Sequence, residues 1–118
     1  MGMGHVPLFK GAIASGTTKY IGVPVHSGKV GLHIAWKDAT SNATVTLEMS
    51  SMNATDAPVE TAGTWHWKDS GETITGPAAS AAGSTLVHLD NVRQRRARLK
   101  IVTTADCDFE IMDGIDHP

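Results

Sequence analysis

From residue 29 onward, apolar and polar residues alternate with a period of two, and no other feature restricts the fold as much. Val30, Leu32, Ile34 and Trp36 interleave with Gly31, His33 and Ala35, as in a strand that buries one face. Ala43, Val45, Leu47 and Met49 repeat the pattern against Thr44, Thr46, Glu48 and Ser50. Residues 37–42 between them have the Asp, Ser and Asn content of a turn, so the two segments are expected to form an antiparallel hairpin. Further strands are expected at 63–68, where Trp65 and Trp67 share a face, and at 73–75, 85–89, 97–101 and 107–111. Residues 6–14 and 20–25 are weaker strands, and Pro24 places the second at an edge or bulge because proline donates nothing to a ladder. Many short strands separated by turns predict an all-β chain, a single antiparallel β-sandwich of jelly-roll type. Residues 1–16 are then an N-terminal arm or the first strand, and 17–118 the sandwich domain.

Size and composition agree with one domain. A chain of 118 residues buries roughly 65% of its unfolded surface, enough for a core without metal or disulfides. The single Cys107 reads as a small buried hydrophobe. The N-terminus lacks the uninterrupted apolar stretch of a secretory signal, and no run reaches the ~18 apolar residues of a membrane span. The sequons at Asn42 and Asn53 therefore carry no weight.

A formal charge of -2 conceals an uneven distribution. Arg93, Arg95, Arg96, Arg98 and Lys100 form a basic block, and Asp106, Asp108, Glu110, Asp113 and Asp116 follow it. As a helix the basic block leaves its apolar stripe incomplete. As a strand, Ala97, Leu99 and Ile101 point in while Arg96, Arg98 and Lys100 point out. A tight turn about Thr104 would then set Ile101 against Cys107, Lys100 against Asp108, Leu99 against Phe109, Arg98 against Glu110 and Ala97 against Ile111. A slip of one residue would mismatch every pair, so a β-hairpin in this register is expected. Nucleic acid is disfavoured as a partner of a neutralised hairpin. Only the surplus Arg93 and Arg95 are left as candidate partner contacts.

Catalytic patterns are missing from the sequence. The six histidines form no close pair at ligand spacing, although His33, His66 and His88 lie in or beside strands where they could converge. There is no phosphate loop and no GxSxG elbow, and the chain is expected to be no enzyme and to need no cofactor or metal. Trp36 continues a buried stripe. Trp65 and Trp67 are either a core layer or an exposed platform of the kind that holds sugar rings.

The run LHIAWKDATSNATVTLEMSSMN, the segment GTWHW, a small-residue loop and then AGSTLVHLDNVRQRRARLKIVTTADCDFEIMDG follow one another, and the likeness they carry covers roughly residues 29–112. This order resembles small β-sandwich virion structural proteins of tailed bacteriophages, in which a TLExS strand, a Trp strand and a late RxRLK strand follow one another. The matching positions are Thr46, Leu47, Glu48, Ser50, Trp65, Arg96, Arg98, Leu99 and Lys100. The resemblance departs at residues 52–56, where those proteins often carry an Asp-Gly turn. It implies a capsid decoration or cement protein bridging capsid subunits, or a tail or adaptor component, located in the virion. Its partners would be the major capsid protein or other virion proteins, with self-association as a dimer or trimer. A carbohydrate-binding or adhesin-type module is the alternative. Val6, Leu8 and Phe9 of the N-terminal segment, with Arg93, Arg95, Trp65 and Trp67, are the candidate contact residues.

Overall fold

A computed structural model of the chain describes residues 7–37, 43–53, 55, 57–60, 66–72, 74 and 82–114. These residues form eight strands: β1 (Phe9–Ile13), β2 (Thr18–Val23), β3 (Val30–Lys37), β4 (Ala43–Ser50), β5 (Lys68–Asp69), β6 (Gly83–Leu89), β7 (Arg96–Thr103) and β8 (Cys107–Asp113). They build two antiparallel four-stranded sheets, ordered β1-β8-β3-β6 and β2-β7-β4-β5. This interleaving is the jelly roll, one long bent ladder in which β1 and β2 pair with β8 and β7 while β3 and β4 pair with β6 and β5. No helix occurs among the described residues, so none is long and apolar enough to cross a membrane.

The alternation decides which side chains fill the interior. Val30, Leu32, Ile34 and Trp36 of β3 and Cys107, Phe109 and Ile111 of β8 meet Leu47 of β4 and Ala97, Leu99 and Ile101 of β7 in one buried cluster. Trp36 sets a further requirement on its cross-strand partner, Gly83. A Cβ at position 83 would lie 3.1 Å from Cζ2 of the Trp36 indole, tighter than an ordinary contact, so the largely buried ring would have to shift by a few tenths of an ångström to admit it. Gly83→Ala is therefore expected to destabilise the fold by about 1–3 kcal/mol in chemical denaturation, the usual cost of overpacking.

Two expected hairpins are absent. β3 and β4 lie in different sheets, and so do β7 and β8. The residue pattern dictates the inward face of each strand but leaves its neighbour open, and a short turn serves equally as a hairpin or as a corner between sheets. The corners at 14–17 and 104–106 lie side by side. Ser15 N–H donates to Asp106 Oδ1 (2.9 Å), Ser15 Oγ donates to the Thr104 carbonyl (3.0 Å), and the buried Thr103 hydroxyl donates to the Ala14 carbonyl (2.7 Å). These bonds satisfy the polar groups exposed where the chain changes sheets.

The charge pairing inferred for the basic and acidic blocks is corrected accordingly. Glu110 lies opposite Lys10 of β1, Asp108 opposite Lys37 of β3, and Arg98 opposite Glu48 of β4. Opposite charges still face one another, but β7 and β8 are inner strands of different sheets, and neither is a neighbour of the other. Residues 9–13 are the first strand of the sandwich, hydrogen-bonded to β8, with Ile13 buried. Pro24 falls just beyond β2, an edge strand. Of the expected strand at 63–68, residues 66–68 are described, and among these residue 68 is paired, in the two-residue β5; residues 61–65 lie outside the described residues, as do 73 and 75–81.

Candidate partner interface

The basic block divides into two parts with different surroundings. Arg96 and Arg98 project from the outer face of the second sheet, which a surface strand would leave in water. Here the chain after β4 folds back over that face. Arg98 is completely buried, and its Nε donates to Glu48 Oε1 at 2.8 Å while Nη1 donates to the Val59 carbonyl at 2.8 Å. Its guanidinium lies 4.1 Å from the ring centre of Tyr20 and 4.4 Å from that of Trp67. Arg96 stacks on the same indole at 5.0 Å and donates to the carbonyls of Asn53 and Ala57. The two arginines thus organise a covering segment, gathering its carbonyls with planar forks and holding Trp67 by cation–π contact.

This placement removes Trp67 from the candidate contacts. It is 2% exposed, so it cannot offer a platform to a sugar or a protein. Its partner in that reading, Trp65, lies outside the described residues, as does Val6. Leu8 and Phe9 are half-buried against the chain's own core, with the Lys19 ammonium 5.4 Å over the Phe9 ring. Cys107 is buried and is in no disulfide. Among the described residues, no group of three or more His, Cys, Asp and Glu side chains is placed to hold a metal ion.

Arg93 and Arg95 are both exposed. They belong to the connection between β6 and β7, at the end of the sandwich that also carries the turn between β2 and β3. That turn is a two-residue hairpin: His26 and Lys29 exchange backbone hydrogen bonds at 2.8 and 2.9 Å around Ser27 and Gly28. Both central residues have positive φ, 50° and 76°, as the primed turns require. Val92 N–H donates to the Gly28 carbonyl (2.7 Å), and His26 Nε2 lies 2.6 Å from Asp113 Oδ2 at the end of β8. Two loops and a strand end are therefore tied together. The two loops line an open surface hollow of about 580 Å³, with Lys29, Asp90, Asn91 and Arg93 among its walls. With Lys29 and Arg93 exposed in its lining and Arg95 exposed two residues further along the same connection, this end offers cationic donors suited to carboxylates on a partner surface.

Sequence reasoning separated Arg93 and Arg95 correctly from the strand, but missed that Arg98 is interior. The available signal was Glu48, the acidic residue on the outward face of β4, which can reach an outward arginine on an adjacent strand. Comparison with known proteins adds no relative: no family model, curated protein or solved structure matches the chain.

Proposed function

We propose that this chain is a structural protein of a tailed-phage virion, a capsid decoration or cement protein that bridges capsid subunits. The observation that carries the reading is the jelly roll with its interior filled by its own side chains. Jelly rolls serve as capsid domains, lectins and cupins, and the fold alone does not choose among them. A cupin works inside its barrel, whereas here Leu32, Ile34, Leu47, Leu99, Ile101 and Ile111 close the space between the sheets at no more than 2% exposure. A lectin reading built on Trp65 and Trp67 loses Trp67 to the arginine stack. What is left for function is outer surface, and its most preorganised part is the cationic loop end carrying Arg93 and Arg95.

Cosedimentation of the purified protein with capsids lacking it tests this. Saturable binding is expected, and the Arg93→Glu, Arg95→Glu double variant is expected to bind at least about tenfold more weakly, a loss of ~1.4 kcal/mol. Its unfolding midpoint should match the native one, because both side chains are exposed. Absence of saturable binding to capsids would sink the decoration role, and binding to tails alone would replace it with a tail component.

A further inference from the structure

Among the described residues the two sheets have four edge strands, β1 and β6 in one and β2 and β5 in the other. An exposed edge is a template for another strand, and proteins blunt such edges with charge, proline, shortness or interruption. Three of the four are blunted. β1 carries the exposed Lys10 and then Gly11 at φ 149°. β2 turns Lys19 toward the interior opposite Ile101 and runs into Pro24. β5 has two residues, both charged.

β6 has none of these devices. It runs for seven residues, Gly83–Leu89, without a charged side chain or a proline, and its midpoint is Leu86. Leu86 is 75% exposed, the most exposed large apolar side chain among the described residues. Meanwhile the strand is held straight and in register by seven pairings with β3, and Val87 is anchored in the core. An edge that is preformed and apolar at its centre needs little ordering to accept a partner.

We propose that β6 is a dimerisation strand: a second copy of this chain pairs antiparallel to it about a two-fold axis through Leu86, joining two four-stranded sheets into one continuous sheet. The residue order favours a second copy over a foreign strand. About Leu86, the leucine meets its own copy, Ser84 meets His88 of the second copy on the same outer face, and Thr85 meets Val87 of the second copy on the inner one. Apolar and β-branched residues coincide, the polar pair can hydrogen-bond, and no like charges meet. A two-fold pairing uses the unguarded edge of both copies at once, so the assembly closes as a dimer and does not grow into a fibre. The inference stands on the strand edge and is independent of the virion reading.

Sedimentation velocity and cross-linking on the purified chain test it. The native chain is expected to sediment as a dimer, and Leu86→Lys as a monomer with its cooperative unfolding retained. For the register, Leu86→Cys is expected to link to its copy under mild oxidation, since facing Cα atoms lie about 4.5–5.5 Å apart, within the span of a disulfide. Ser84→Cys is expected to link at least tenfold more slowly, because two-fold pairing sets that position ~13 Å from its copy. A native chain that is monomeric at every concentration reached overturns the proposal, as does a Leu86→Lys variant that stays dimeric. Equal linking rates for the two cysteine variants overturn the two-fold register.

Discussion

Glu48→Ala is expected to destabilise the protein by about 3–5 kcal/mol, the range observed when one partner of a buried ion pair is removed. The reason is geometric. Arg98 is fully buried on the outer face of the second sheet, and Glu48 is the carboxylate that its Nε reaches. Without that carboxylate the guanidinium keeps its Val59 carbonyl and its two aromatic neighbours, which polarise toward it but carry no net charge. A loss of this size is a large share of the 5–15 kcal/mol that typically holds a domain together. Arg98→Met alone should also be costly, because it strands a carboxylate that is 6% exposed. The double variant Glu48→Leu, Arg98→Met should recover most of the stability, since replacing both members with apolar groups of similar volume is often neutral. Urea denaturation of the native protein, Glu48→Leu, Arg98→Met and their double variant gives the coupling energy directly. By contrast, Glu110→Arg should give Arg98→Glu no rescue, because position 110 lies in the other sheet and faces water.

Trp67→Ala is expected to produce a loss of similar size, about 3–5 kcal/mol, and Trp67→Phe a much smaller one. The indole is 2% exposed and supports both guanidiniums, so truncation opens a cavity and removes two cation–π contacts together. Phenylalanine keeps an aromatic face in that position. It also removes the Nε1–H, which is buried without a hydrogen-bond partner among the described residues, so the smaller ring recovers part of what it gives up. Thermal or urea unfolding of the two variants, with far-UV circular dichroism to confirm native strand content, separates a packing role from a polar one.

The inward face of nearly every strand was legible in the sequence, because a period of two is a local property and each strand with a buried face must display it. Strand neighbours were not legible, since Leu99 opposite Phe109 and Leu99 opposite Leu47 are equally good apolar matches. Proximity in sequence favoured the first, and the jelly roll supplies the second. The role of the segment after β4 was hidden for a different reason: it holds Arg96 and Arg98 through backbone carbonyls, which every residue has, so no side-chain pattern announces them. Of the candidate interface, Arg93 and Arg95 were visible as charges that the strand could not use. The tie between their loop and the turn at Ser27 and Gly28 was invisible, because it consists of one backbone hydrogen bond.

The placement of β7 between β2 and β4 is the central claim, because the buried ion pair, the covering segment and the exposure of Arg93 and Arg95 all depend on it. Cross-strand backbone nuclear Overhauser effects in isotopically labelled protein test it most directly. The account predicts backbone contacts from Leu99 to Ile21 on one side and to Leu47 on the other. A backbone ladder from Leu99 to Phe109 and from Arg98 to Glu110 would contradict it, and would restore a β7–β8 hairpin with its arginines in water.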